Sequence, residues 1–133
     1  MTEHKVTIAE WAVALAPATI VTIGLGSCVA IVLHDARARI GGMAHVLLPS
    51  PVTAQDGARP GKYPSSAVPH LLAEMRALGA HGTITARLVG GASLFGPLLA
   101  GKGGRSMGER NVAGSRLALS AANVRVVGEL VGG

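Results

Sequence analysis

The sequence predicts a single layered α/β domain of short, mostly antiparallel or mixed strands with two main helices. Three observations carry this prediction. The first 50 residues hold several short runs rich in β-branched side chains, separated by Gly or Pro. Two later segments have helical features, and strand-like runs follow each of them. A length of 133 residues fits one domain, so we expect a single domain over residues 1–133.

The first half of the chain predicts strands and tight turns. Residues 6–15 are expected to be extended, as one or two strands, and Pro17 interrupts the chain in a loop over residues 16–18. Residues 20–23 predict a strand, residues 24–27 a glycine turn, and residues 29–34 a β-branched strand. The chain then turns at residues 35–39, returns as a strand over residues 40–48, and enters a polar loop over residues 49–64.

The second half of the chain predicts the two helices. Apolar residues at helical spacing indicate the first one, namely Val68, Leu71, Leu72, Met75 and Leu78. Ser65 or Ser66 would cap this helix, Pro69 would lie in its first turn, and Gly79 would end it. A strand over residues 84–89, a flexible loop over residues 96–108, a helix over residues 109–122 and a strand over residues 124–127 complete the domain.

Composition argues against several classes of function. A net charge of +5 favours an acidic partner, but aromatic residues make up only 2% of the chain and no nucleic-acid recognition motif is present. Residues 96–102 resemble a phosphate-binding loop, yet Gly103 stands where a Ser or Thr would hold magnesium. The five His residues lack ligand spacing, so we expect neither a metal nor a cofactor.

The uncharged stretch of residues 11–33 is long enough to span a bilayer. Pro17, Gly24 and Gly26 interrupt it, and its β-branched residues favour strands, so we expect no membrane insertion. The chain has one Cys and therefore no internal disulfide, which favours a cytoplasmic location.

Cys28 and His45 are the candidate catalytic pair. If the turn is centred between Ala36 and Arg37, Cys28 lies directly opposite His45, with Cβ atoms about 5 Å apart. His34 lies on the same strand as Cys28, roughly 20 Å away, which excludes it as a direct partner. A buried cysteine opposite a structural histidine explains this spacing equally well.

A catalytic pair would need an activated thiol. A nearby imidazolium would lower the pKa of Cys28, so we expect a reactive thiolate. The backbone N–H groups of Gly26, Ser27 and Cys28 could bind a developing oxyanion.

Seven short motifs are spread over most of the sequence: Thr22-Ile-Gly-Leu-Gly-Ser-Cys28, His34-Asp35, Gly41-Gly42-Met43-Ala44-His45, Lys62-Tyr63, Ala86-Arg87-Leu88-Val89-Gly90-Gly91, Gly108-Glu109-Arg110-Asn111-Val112 and Val131-Gly132-Gly133. Through these motifs the sequence resembles the CheD family of chemoreceptor glutamine deamidases. Thr22 and Cys28 are six residues apart and Cys28 and His45 seventeen, as are the family's catalytic Thr, Cys and His. The resemblance implies a CheD-like three-layer sandwich.

The resemblance also implies an activity. Cys28 would attack the side-chain amide of a glutamine on a bacterial chemoreceptor, His45 would transfer protons, and Thr22 would orient His45. No cofactor is implied, and the CheC phosphatase is implied as a further partner. The sequence departs from the family at Pro64-Ser65 and Leu130, and it ends at Gly133 where the family continues, so the domain could be shortened at its C-terminus.

Two alternatives stay open at the level of sequence. Leu25-Gly26-Ser27-Cys28 resembles a bacterial lipoprotein signal, in which Cys28 would be lipidated. A non-catalytic member of the family could instead only bind the CheC phosphatase.

An enzyme acting on a helical receptor needs an accessible nucleophile. A receptor helix is a rod about 10 Å wide, so we expect Cys28 in a shallow groove. Candidates for lining this groove are Gly24–Gly26, Gly41, Gly42, Gly90 and Gly91.

Overall fold

The computed structural model describes residues 2–50, 59–92 and 106–132. The strands are β1 (Thr2–Lys5), β2 (Trp11–Leu15), β3 (Ala18–Val21), β4 (Val29–Asp35), β5 (Ile40–Val46), β6 (Ile84–Gly90) and β7 (Arg125–Val131). The helices are α1 (Pro64–Ala77) and α2 (Met107–Ala121), and a short 3-10 turn at Pro60–Lys62 precedes α1. The predicted α/β class with mixed strands and two helices is confirmed.

The strands form two sheets. Five of them are ordered β2-β5-β4-β6-β7, with antiparallel neighbours except for the parallel pair β6 and β7. The other two, β1 and β3, pair in parallel. The predicted loop over residues 96–108 lies largely outside the described residues, and the phosphate-loop resemblance lies wholly outside them. Half of the polar loop over residues 49–64, namely residues 51–58, also lies outside them.

Alternation along β4 separates the two faces of the large sheet. Val29, Ile31 and Leu33 are fully buried and belong to the core that also contains Leu71 and Met75 of α1. Because successive side chains of a strand point to opposite faces, Ala30 and Val32 face the other side. There they share a groove with residues of β3, which places the small sheet next to this second face.

Several boundaries differ from the sequence prediction. Residues 6–10 form a turn rather than a strand, because the Glu10 carboxylate accepts hydrogen bonds from the backbone N–H and hydroxyl of Thr7. The strand predicted at residues 20–23 is β3, which ends at Val21; Ile23 beyond it is 87% exposed. β1 was not predicted.

The helix starts also differ. α1 begins at Pro64, a residue that suits the first helical position because it has no N–H to satisfy. Neither predicted serine caps it: the Ser66 hydroxyl donates to the Pro60 carbonyl instead. α2 begins at Met107, where Ser106 caps it by accepting the Glu109 N–H. The last strand extends to Val131, and Leu130 on it is 77% exposed.

Candidate active site

A hairpin brings Cys28 and His45 together. Cys28 immediately precedes β4 and His45 lies near the end of β5, so both are at the same end of the β4–β5 hairpin. In the observed register His45 pairs with Ala30 rather than with Cys28. The predicted direct pairing of Cys28 with His45 is therefore wrong by two residues.

Asp35 explains the difference in register. Its buried carboxylate accepts the backbone N–H groups of Arg37 and Ala38, which fixes a turn of four residues instead of two. A shift of two residues preserves the face of the sheet, because side chains alternate with a period of two. His45 therefore remains on the face of Ala30, which is also the face that Cys28 reaches at the start of β4.

Thr22 holds the imidazole of His45. The Thr22 hydroxyl lies 2.8 Å from His45 Nδ1 and 2.5 Å from the carbonyl oxygen of Val6. A carbonyl oxygen has no proton, so the single hydroxyl proton must point to Val6. Nδ1 of His45 must then carry the proton that joins it to Thr22, which leaves the lone pair on Nε2.

The Nε2 atom of His45 is buried and has no hydrogen-bond partner among the described residues. His45 as a whole is 1% exposed. A buried nitrogen without a partner is costly and therefore uncommon. The Nε2 atom of His45 can accept a proton, and it lies on the same face of the sheet as Cys28.

Burial sets the protonation of both groups. Burial raises the pKa of the Cys28 thiol above its ordinary value. Burial also lowers the pKa of His45, and the Val6 carbonyl opposes this shift. The free protein thus holds a neutral thiol and a neutral imidazole. The expectation of a lowered pKa for Cys28 is contradicted, because desolvation outweighs the attraction of a histidine that is itself uncharged.

The turn before Cys28 has its carbonyl groups tied to the protein. The Leu25 carbonyl accepts the Cys28 N–H at 2.7 Å. The three following carbonyls accept from other segments: Gly26 from the Ala92 N–H, Ser27 from the Asn111 amide, and Cys28 from the Gly91 N–H, each at 2.8 Å. The turn is therefore anchored through its carbonyl groups to residues 91–92 and to α2.

The N–H groups of this turn divide into two kinds. The Cys28 N–H donates to the Leu25 carbonyl, so it cannot also bind an oxyanion. This differs from the prediction, which included the Cys28 N–H among the donors. The N–H groups of Gly26 and Ser27 take part in no backbone hydrogen bond within the described segments. Gly26 and Ser27 therefore remain the candidate oxyanion donors.

Two of the predicted groove glycines hold the cysteine turn. A side chain at Gly90 would collide with the Cys28 carbonyl, and Gly90 adopts a φ of 108°. Gly91, with a φ of 69°, lies against Val112 of α2 and donates to Cys28. Close backbone contact explains both glycines without a groove.

The β5 glycines likewise have other neighbours. Gly42 faces Met75 and Leu71 of α1, on the helix side of the sheet, which contradicts its predicted place in a groove. Gly41 pairs with His34, far along β4 from Cys28.

The structure does show a groove on the second face of the sheet. Its volume is about 340 Å³ and apolar side chains line most of it: Ile20, Val21, Thr22, Leu25, Ala30, Val32, Met43 and Val89. Thr22 and Ala30 connect it to the candidate pair of Cys28 and His45. Cys28 itself is only 5% exposed, which counts against the expectation that its sulfur lies open in a shallow groove.

The lipidation alternative is not favoured by this arrangement. The segment before Cys28 forms β1, β2 and β3, and it supplies the Thr22 hydroxyl to His45. Within the described segments, no helix has the length and apolar character needed to cross a bilayer.

Among the described residues, no three His, Cys, Asp or Glu side chains form a group that could hold a metal ion.

Fold and site together define a layered α/β protein in which a threonine-held histidine and a buried cysteine share one face and one end of a hairpin. The family model for CheD chemotactic sensory transduction matches residues 47–133. The chain is 45% identical to the probable chemoreceptor glutamine deamidase CheD 2 of Geobacter metallireducens, over 97% of this chain and 80% of the relative. It is 39% identical to the chemoreceptor glutamine deamidase CheD of Thermotoga maritima, over 95% of this chain and 76% of the relative. The chain belongs to the CheD family.

Proposed function

We propose that this protein is a protein-glutamine deamidase that converts glutamines of bacterial chemoreceptors to glutamate. The observation that carries the proposal is the imidazole of His45, which Thr22 holds with an unpartnered Nε2 on the face shared by Cys28. Most buried side-chain polar atoms are hydrogen-bonded, so an unpartnered buried ring nitrogen calls for an explanation. The names of the relatives, as chemoreceptor glutamine deamidases, support the same activity.

The first half of the reaction forms a thioester. Nε2 of His45 accepts the proton of the Cys28 thiol as the sulfur attacks the amide carbon of the glutamine side chain. The carbonyl oxygen becomes an oxyanion, and the N–H groups of Gly26 and Ser27 are the donors proposed to bind it. The imidazolium of His45 then gives its proton to the leaving nitrogen, and ammonia departs.

The second half hydrolyses the thioester. Neutral His45 takes a proton from water, and the resulting oxygen attacks the thioester carbon. Collapse of this intermediate releases glutamate and returns the proton from His45 to the Cys28 sulfur. Thr22 keeps the proton on Nδ1 in every step, so Nε2 is the atom that exchanges protons throughout.

A neutral resting pair suits this sequence of steps. Cys28 and His45 are both buried, so a thiolate–imidazolium pair in the free protein would pay the desolvation of two charges. Transfer of the proton during attack delays this cost until the oxyanion donors contribute. The thiol is therefore protected from adventitious reaction until a glutamine is in place.

The receptor surface would approach from the second face of the large sheet. The apolar groove beside Thr22 and Ala30 offers a site for apolar side chains that flank the glutamine. The net charge of +5 would attract acidic receptor helices, and this attraction would weaken as the salt concentration rises.

We also propose a cytoplasmic location and the CheC phosphatase as a partner, because the chain belongs to a family of chemotactic sensory transduction.

Mass spectrometry of a chemoreceptor cytoplasmic fragment tests the proposal. Incubation with this protein should raise the fragment mass by about one dalton per converted glutamine, since NH₂ is replaced by OH. A matched fragment in which those glutamines are already glutamate should gain nothing. Binding of the first fragment without any gain in mass would refute the enzyme and support a non-catalytic binding module.

A further inference from the structure

We propose that Asn111 is a positioning residue for the reaction, which bridges the two segments that carry Cys28 and His45. This inference rests on the proposed deamidase function. Asn111 lies on α2, one turn beyond the helix start, and it is fully buried. Its amide nitrogen donates to the Ser27 carbonyl at 2.8 Å and to the Leu47 carbonyl at 3.1 Å.

The bridge lies where the strand pairing stops. The last paired residues at this end of the hairpin are Val29 of β4 and Val46 of β5. Beyond that pair, Ser27 directly precedes the cysteine, and Leu47 follows His45 by two residues. The Asn111 amide therefore joins the segments next to β4 and β5 at the point where the backbone pairing of the two strands ends.

The chemistry of this link selects a primary amide. Two carbonyl oxygens cannot bond to each other, so a group that donates two protons must stand between them. The NH₂ group of asparagine supplies two protons in one plane, and its neutral charge suits a site without water-exposed surface. A serine at this position would supply one proton, and an alanine none.

The remaining contacts of Asn111 favour a role in alignment. Its Oδ1 atom is buried and has no partner among the described residues, so all the side-chain hydrogen bonds of Asn111 go to the two bridged carbonyls. The Asn111 carbonyl accepts the Ser115 hydroxyl at 2.8 Å, a local bond within α2 that does not involve the bridging side-chain amide. Asn111 touches neither Cys28 nor His45 side chains in any hydrogen bond, so it acts through the backbone beside them.

The consequence is a fixed distance between nucleophile and base. With the bridge intact, Ser27 and Leu47 are held to one amide, so the cysteine turn stays next to the end of β5. Loss of the bridge would let the cysteine turn move relative to β5. A displacement of about 1 Å between reacting groups can cost on the order of 100-fold in rate.

The test compares Asn111→Ala with Ser115→Ala in the full chain. Ser115 is an equally buried residue on the same helix, and its hydroxyl bonds to Asn111 rather than to the cysteine turn. With a glutamine-bearing chemoreceptor fragment, Asn111→Ala should lower kcat by roughly 10- to 100-fold and leave KM within about twofold. Ser115→Ala should lose stability but keep kcat within about threefold.

Iodoacetamide alkylation of Cys28 gives a second readout that needs no deamidase activity. In Asn111→Ala the released turn should expose the sulfur to water, so the midpoint pH of alkylation should fall towards that of a free thiol, about 8.5. Ser115→Ala should leave the midpoint unchanged. If the wild-type protein fails to deamidate but this shift occurs, the proposed function is wrong and the bridge stands.

Asn111→Ser keeps the test decisive if Asn111→Ala does not fold. The serine hydroxyl of Asn111→Ser can donate one hydrogen bond instead of two. The kcat of this variant should therefore fall below that of the wild type, by less than the loss expected for Asn111→Ala. The proposal is overturned if a folded Asn111 variant keeps wild-type kcat and an unchanged alkylation midpoint. Equal losses of kcat in Asn111→Ser and Ser115→Ala would also overturn it, because they would indicate a general effect of destabilising α2.

Discussion

The Thr22 hydroxyl makes a sharp prediction about the state of His45. Thr22→Val keeps the shape of the side chain but removes the hydroxyl that joins Val6 to His45. Two hydrogen bonds are lost at about 1 kcal/mol each, so the free energy of unfolding should fall by about 2 kcal/mol. Urea unfolding measures this loss, and Thr22→Ser, which keeps the hydroxyl, is the matched control.

The effect on catalysis should be larger than the effect on stability. Without Thr22 the neutral imidazole can place its proton on either ring nitrogen and can rotate, so Nε2 is no longer held as the base. General acid–base catalysis contributes about 10²- to 10⁴-fold, so kcat for a receptor fragment should fall by roughly 100-fold in Thr22→Val. Thr22→Ser should retain most of the activity.

Nitrogen NMR of His45 separates orientation from simple loss of stability. In the wild type the proton should reside on Nδ1, and in Thr22→Val the two tautomers should be mixed. The reasoning is refuted if the wild-type imidazole carries its proton on Nε2. It is also refuted if Thr22→Val is folded and deamidates as fast as Thr22→Ser.

Two further predictions concern pH. Burial lowers the pKa of His45, so below about pH 6.5 the unfolded chain binds a proton at His45 that the folded protein does not bind. Burial raises the pKa of Cys28, so above about pH 8.5 the unfolded chain loses a thiol proton that the folded protein retains. The free energy of unfolding should therefore decrease below about pH 6.5 and above about pH 8.5. In urea unfolding, Cys28→Ala should reduce the decrease above about pH 8.5. An unchanged decrease would show that Cys28 is not the group responsible. Since the proposed mechanism starts from the neutral pair, kcat/KM should follow a bell-shaped pH profile, with its acid limb below about 6.5 and its alkaline limb above about 8.5. An acid limb near 8 would mean that a different group is the base.

The main elements of the large sheet could be predicted because local patterns determine them. Runs of β-branched residues and the intervening turns gave β4, β5 and β6 within two residues, and the helical spacing gave α1. The side-chain alternation also placed Cys28 and His45 on one face, even though the assumed turn was two residues too short. The four-residue turn depends on Asp35, whose carboxylate also accepts N–H groups from His81 and Gly82, distant in sequence.

The parts of the site that could not be predicted depend on distant segments. Thr22 was assigned only through the family resemblance, since no periodicity links residues 22 and 45. Asn111 lies 84 residues from Ser27, so its bridge to the cysteine turn has no local signal. The pKa of Cys28 was predicted in the wrong direction because the burial of its thiol, unlike a histidine at a fixed spacing, leaves no local pattern in the sequence.

The most direct test of the catalytic site compares deamidation by four proteins under single-turnover conditions: the wild type, Cys28→Ala, His45→Ala and the double variant. Mass spectrometry of the glutamine-bearing chemoreceptor fragment follows the gain of about one dalton per site, and circular dichroism confirms that each variant is folded. Because the proposed mechanism uses Cys28 and His45 as one unit, each single variant should fall to background and the double variant should be no slower. Continued deamidation by a folded Cys28→Ala protein would contradict the account.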